Sequence, residues 1–248
     1  MDKPADVFDR DEEWADLVDF AASPLPGLRI AVVYGRRRQG KSYLLRRLAD
    51  AAGGFYHLAT EQAELVSLRR FGDSLAAWAG LSAGAFGFRG WEQALRTAME
   101  VMTAAPSRDM APLLVLDEFP YLINETPGLP SIVQGLYDTL GPGAGERSVP
   151  LRVILCGSAI SVMGDLLSGT RALRGRGALD LRVRPFGYRD TRVLGNRESR
   201  RCLGSPRVHR RHPRLPGARA QPRRSRGARA VRRMARAERH AAGHAAVR

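Results

Sequence analysis

A chain of 248 residues with 44% apolar content can bury one substantial core, and its net charge of +15 first suggests a nucleic-acid partner. The charge is unevenly placed: positions 1–190 hold 22 basic against 23 acidic residues, and positions 191–248 hold 18 arginines against only Glu198 and Glu238. Two cysteines exclude a disulfide framework, the acidic start lacks the order of a signal peptide, and no apolar run approaches the roughly 20 residues that span a bilayer, so a soluble cytoplasmic protein without a membrane partner is expected.

Taken in chain order, residues 1–27 form an acidic lead segment, and Leu28 to Tyr34 (LRIAVVY) reads as a buried parallel strand between Pro26-Gly27 and Gly35. Ser42 to Ala52 carries leucines at helical spacing, and Phe55 to Leu58 is a second short strand. Leu65, Leu68, Phe71, Leu75 and Trp78 predict one amphipathic helix; Trp91, Leu95, Ala98 and Met102 predict the next. Leu113 to Leu116 is a strand closed by Asp117-Glu118. A helix follows over Ile132 to Leu140, ended by the Gly-Pro-Gly at 141–143. Leu151 to Cys156 is strand-like with Cys156 as a core residue, Val162 to Leu167 is helical, and Leu179 to Val183 is a weaker strand stopped by Pro185. Strands alternating with helices predict an α/β, three-layer sandwich around a mainly parallel sheet over residues 28–190.

Within that frame, Gly35-Arg36-Arg37-Arg38-Gln39-Gly40-Lys41-Ser42 matches G-x-x-x-x-G-K-[ST], set between a predicted strand and a predicted helix. The glycines let backbone N–H groups approach phosphate oxygens, Lys41 reaches the terminal phosphates, and the Ser42 hydroxyl suits Mg²⁺. The helix starting at Lys41 and Ser42, and continuing through Tyr43, aims its positive end at the same anion. The fold is therefore predicted to be that of a P-loop NTPase. Asp117 at a strand end is placed to support the metal, and Glu118 to polarise a water for attack on the γ-phosphate. Ser158, after the Leu151–Cys156 strand, reads as a polar contact to that phosphate or water, as the N-cap of the helix beginning near Ala159, or as both, since the two roles are compatible. Arg36, Arg37 and Arg38 read as a solvated cluster or as added positive potential. Arg171, Arg174 and Arg176 are surface residues or candidates for stabilising transition-state charge, in the same or a neighbouring subunit. No Asn-Lys-x-Asp element of a guanine reader is present, so the expected ligands are ATP and Mg²⁺.

With those residues in hand, the chain resembles the archaeal-type ATPase family, a branch of the AAA+ and STAND-like P-loop ATPases. The likeness runs from the Phe8–Glu13 stretch (FDRDEE) through Val33–Ser42, Leu114–Tyr121 (LVLDEFPY), Leu155–Ala159 and Arg174–Gly177 to Leu181–Asp190, about residues 7–190. It implies Lys41 and Ser42 as phosphate and metal contacts, Asp117 as metal support and Glu118 as hydrolytic base. It further implies Ser158 at a polar sensor position and Arg176 in the family's Gly-Arg element. Gln39 stands where the family usually has a small apolar residue, and Ser42 replaces threonine.

The resemblance stops where the composition changes. All 17 aromatic residues lie at or before Tyr188, and residues 191–248 contain only eight Leu, Val or Met. Such a segment buries too little to offset its chain entropy, so it is predicted to be a disordered, arginine-rich tail. It reads as the product of a GC-rich gene translated out of frame, as a nucleic-acid-binding extension, or as a neutral one. The function expected is ATP binding with hydrolysis that drives a conformational or assembly switch, through self-association or a protein partner. The alternatives are a nucleic-acid-binding module or a nucleotide-binding remnant without turnover.

Overall fold

The apolar runs that alternate with turn residues become one sheet. The computed structural model describes residues 1–105, 110–145, 150–168 and 172–185. Within them β1 (Leu28–Tyr34), β2 (Phe55–Leu58), β3 (Leu113–Asp117), β4 (Leu151–Gly157) and β5 (Gly177–Arg182) all run parallel, in the order β2-β3-β4-β1-β5. Helix α1 (Asp11–Ala22) precedes β1, and α2 (Lys41–Ala52) links β1 to β2. Helices α3 (Glu64–Trp78) and α4 (Trp91–Ala104) precede β3, α5 (Phe119–Glu125) and α6 (Leu129–Leu140) precede β4, and α7 (Ile160–Leu166) precedes β5.

Alternation along each strand splits the core into two layers. Leu28, Ile30 and Val32 of β1, with Leu114, Leu116, Val153 and Leu155, pack beneath α3 to α7. Ala31 and Val33, with Val115, Ile154 and Cys156, pack beneath α1 and α2. Both faces are covered, which gives the three-layer arrangement and explains the near-continuous apolar character of β1, β3 and β4, interrupted only by Arg29 and Arg152 before the strand ends. The arginine-rich tail lies outside the described residues.

Two helices are absent from the elements the sequence suggested. Helix α1 has Asp11, Glu12 and Glu13 in its first turn, where they favour the positive helix end, and buries Trp14, Leu17, Phe20 and Ala21 on one stripe. Helix α5 begins immediately after the Asp117-Glu118 pair, with Pro120 in its first turn where a missing N–H costs nothing. Two buried arginines brace the chain around the sheet. Arg152, fully buried on β4, donates to the carbonyls of Gly27 (3.1 Å), Leu151 (2.8 Å), Leu25 (2.6 Å) and Ser23, fixing the α1–β1 linker. Arg10 binds Glu13 (2.7 Å) and the carbonyls of Gln39 (3.2 Å) and Arg184 (2.8 Å).

His57 on β2 is 4% exposed and meets the Phe71 ring edge-on at 5.0 Å. Burial, with a smaller contribution from Arg70, pushes its pKa from 6.5 down to about 4. As pH falls through that window the unfolded chain takes up a proton that the folded chain refuses. Folding stability present above pH 6.5 is therefore lost on acidification, by about 3 kcal/mol at most from this residue. Chemical denaturation at about pH 7 and about pH 4.5 should show a smaller acid loss for His57→Phe than for the wild type. Equal losses in the two proteins would contradict a neutral buried imidazole.

Candidate functional site

The strand register determines which loops meet. Tyr34 of β1 pairs with Gly157 of β4, and Leu116 of β3 with Leu155 of β4, so the carboxyl ends of β1, β4 and β3 form one edge with β4 in the middle. The loop after β1 therefore faces the acidic end of β3 across the exit of β4.

The loop leaves β1 at Gly35. A Cβ there would collide with the Val183 carbonyl oxygen and lie 2.6 Å from Gln39 Oε1, so only glycine fits. Arg38 (φ 65°) and Gly40 (φ 79°) adopt left-handed backbone that curls the chain into α2. No side chain caps that helix, which leaves first-turn N–H groups available to an anion. Lys41 is 5% exposed, and its Nζ donates to the carbonyls of Gly35 and Arg36, both at 2.9 Å. Arg36, Arg37, Arg38 and Ser42 are exposed, whereas Gln39 is buried, with Oε1 lacking a hydrogen-bond partner. Only the backbone of Gln39 therefore suits phosphate contact. Tyr43 is exposed at the same helix start; its hydroxyl donates to Asp6 (2.7 Å), and Arg47, paired with Asp6, lies 5.3 Å over its ring.

Across the edge, Asp117 is fully buried. Its Oδ2 accepts from the Tyr56 hydroxyl (2.6 Å) and its Oδ1 from the Glu118 N–H (2.9 Å). Burial and then Asp117 raise the Tyr56 pKa, keeping the phenol a donor, and Arg46 lies 4.9 Å over its ring. Burial, then Asp117, raises the Cys156 pKa well above the usual thiol value. Glu118 sits at φ 53°, ψ 41°, a left-handed conformation that costs a non-glycine residue about 1–3 kcal/mol and marks functional sites. Its Oε2 accepts from Ser158 Oγ (3.1 Å) and Ser158 N (3.4 Å). Ser158 Oγ accepts from Arg37 Nε (3.4 Å), and Arg37 Nη2 donates to the Tyr121 hydroxyl (3.1 Å).

The loop residues, Asp117, Glu118 and Ser158 thus come together. Ser158 is not the N-cap of α7: Ala159 takes that position, no side chain bonds to the helix start, and the serine hydroxyl is committed to Glu118. Arg176 does not join the cluster. It precedes Gly177, which pairs with Ile30, four residues before β1 ends, and it is bound to Asp138 (2.9 and 3.1 Å). Arg174 is exposed, and Arg171 lies outside the described residues. Tyr56 and Tyr121 escaped the sequence-based selection. The one usable signal was their position, Tyr56 in the short strand expected near β3 and Tyr121 four residues after Asp117.

The residues present fit a triphosphate with Mg²⁺. The glycine cradle leaves no room for a Cβ, the donors are backbone N–H, ammonium and guanidinium, and Ser42 and Asp117 offer hard oxygen ligands. Asp117 retains unused lone pairs beyond its two hydrogen bonds. Among the described residues no group of three or more His, Cys, Asp or Glu could hold a metal ion.

A glycine-framed loop at the end of β1, facing a carboxylate pair across a parallel sheet, defines a P-loop ATP-binding domain. A sequence model of an ATPase domain predominantly from Archaea matches residues 7–201, and the chain belongs to that family. An uncharacterized protein of Methanocaldococcus jannaschii is 28% identical over 182 residues, covering 73% of this chain and 36% of that relative. The chain thus spans about a third of that curated relative's length. Among solved structures, a Walker-type ATPase of Pyrococcus abyssi has a TM-score of 0.55 at 20% identity, covering 81% of this chain and 60% of its own. Cdc6p of Pyrobaculum aerophilum has a TM-score of 0.51 at 20% identity, covering 77% and 49%. The ORC2 protein of Aeropyrum pernix has a TM-score of 0.51 at 13% identity, covering 75% and 50%. These are likenesses of fold. Among the described residues no helix is long and apolar enough to cross a membrane.

Proposed function

We propose that this domain hydrolyses ATP with Mg²⁺ and uses the cycle to switch the conformation or assembly of a larger complex. The observation that carries the reading is Glu118, held in left-handed backbone at the exit of β3 and hydrogen-bonded through Ser158 to Arg37 of the phosphate loop. Mg²⁺ would be held by Ser42 and supported by Asp117, and when bound it neutralises charge on the terminal phosphates. Lys41 and the loop N–H groups hold the phosphates. Glu118 accepts a proton from the attacking water, and Ser158 orients that carboxylate. Tyr56 keeps Asp117 aimed by holding Oδ2.

Connectivity supports the switch. Helix α5 starts directly after Glu118 and α7 two residues after Ser158, so loss of a γ-phosphate bridging the loop and these strand ends moves both helices. Arg176, remote from the loop of its own chain, suits action on the nucleotide of a neighbouring copy. A second reading, nucleic-acid binding through the tail, is favoured by its 18 arginines, which would give strongly salt-dependent contacts.

Phosphate release from ATP, measured with Mg²⁺ and with the metal chelated, tests the reading. We expect turnover that requires Mg²⁺ and survives removal of residues 191–248, while any salt-sensitive nucleic-acid affinity is lost with them. ATP binding without phosphate release would reduce the domain to a nucleotide-binding remnant.

A further inference from the structure

Three arginines occupy the phosphate loop, all exposed, yet only one reaches the hydrolytic residues. Arg37 donates from Nε to Ser158 Oγ (3.4 Å) and from Nη2 to the Tyr121 hydroxyl (3.1 Å). Ser158 passes the chain on, donating to Glu118 Oε2 at 3.1 Å. Arg36 contributes its carbonyl to Lys41 and not its guanidinium to the network. A loop residue, the exit of β4 and the exit of β3 are therefore joined in one line of hydrogen bonds that ends on the proposed base.

We infer that Arg37 reads the terminal phosphate of ATP and transmits its presence to Glu118 through Ser158. The inference rests on the ATP-hydrolysis reading and deepens it. Arg37 springs from the loop that cradles the phosphates, and its guanidinium already lies against the residues on the opposite bank. Its two present acceptors are neutral hydroxyls. The guanidinium bonds to these hydroxyls are already charge-assisted, and a γ-phosphate oxygen, being anionic, adds attraction between opposite charges and can accept from both arms of the fork. The planar guanidinium also suits a phosphate geometrically. An anion lying between loop and β3 exit therefore draws Arg37 away from Tyr121 and Ser158.

That movement matters because the chain is polarised. While Arg37 donates to Ser158 Oγ, the serine O–H is a stronger donor to Glu118 Oε2, and the carboxylate is held toward the serine. Once Arg37 turns to phosphate, the serine O–H bond weakens, and Glu118, still held at Oε2 by the Ser158 N–H, can turn toward the attacking water. ADP, with no γ-phosphate, leaves the chain in place. Arg37 is thus a γ-phosphate contact and a positioning residue for Glu118, and it separates ATP from ADP within a single chain.

The test uses the full chain and two ligands, ADP and the non-hydrolysable β,γ-imido analogue of ATP, with affinities measured by calorimetry in the presence of Mg²⁺. Arg37→Ala should weaken the ATP analogue by roughly tenfold or more while changing ADP affinity by less than about threefold. Arg37→Lys, which keeps the charge but not the fork, should recover part of the difference. Arg36→Ala removes the same charge from the same loop and should leave the ratio of the two affinities near that of the wild type. In turnover, Arg37→Ala and Ser158→Ala should be non-additive, the double variant being little slower than the slower single one. Equal weakening of both ligands by Arg37→Ala, or no weakening, overturns the inference while leaving the ATP site intact. A wild-type chain that binds neither nucleotide overturns the inference together with the function it rests on. Arg37 is exposed, so its truncation leaves no buried group unpaired, and thermal unfolding of each variant confirms that the fold is retained.

Discussion

Lys41→Ala is expected to lower ATP affinity by about a hundredfold or more. The ammonium is 5% exposed and bonded to two carbonyls of its own loop, Gly35 and Arg36, which set it at the mouth of the cradle with its stem already immobilised. Little side-chain entropy remains to be lost when it meets a phosphate, so most of its charge-assisted bonding appears as affinity. The third N–H is left for phosphate, and one bond between charged groups at about 3 kcal/mol corresponds to roughly a hundredfold in the dissociation constant. The loop itself should persist, because its course depends on the left-handed turns at Arg38 and Gly40 and on the close approach of Gly35 to Val183. Calorimetric titration with ATP, alongside thermal unfolding, separates lost binding from lost fold. An affinity within about threefold of wild type in a folded variant would remove the phosphate role from Lys41.

Glu118→Gln is expected to bind ATP nearly as the wild type does and to release phosphate about a hundred to ten thousand times more slowly. The amide is isosteric, keeps an oxygen for the Ser158 hydroxyl and N–H, and suits the same left-handed backbone. What it lacks is the ability to accept a proton from water. A variant that only disturbed the fold would lose affinity and turnover together, so a split between the two is the signature of a base. Phosphate release at the wild-type rate would assign the proton transfer to another group and leave Glu118 as a structural partner of Ser158.

The amino-acid sequence by itself determined the strands, the sandwich class and the chemical identity of the loop. Runs such as Leu28–Tyr34 and Leu113–Leu116 are too short and too continuously apolar for surface helices, and a strand covered on both faces needs that composition. Gly35, Gly40 and Lys41 stand within eight residues of one another, so local spacing carries their meaning. Helices α1 and α5 were less legible. The charges of Asp11 to Glu13 masked the stripe of Trp14, Leu17 and Phe20, and Pro120 looks like a terminator until it is seen to sit in a first turn.

Only the tertiary structure decided what stands opposite what. Insertion of β4 between β1 and β3 is a pairing between segments more than a hundred residues apart in the chain for β1, and it alone brings Ser158 between Arg37 and Glu118. Other long-range placements gave Asp117 its bond from Tyr56 across the β2–β3 ladder and set Arg176 beside Asp138 of α6 instead of beside the loop. Periodicity along a chain specifies which face of a strand is buried. It carries no information about which strand lies next to it, because that choice is made by packing free energy summed over the whole sheet.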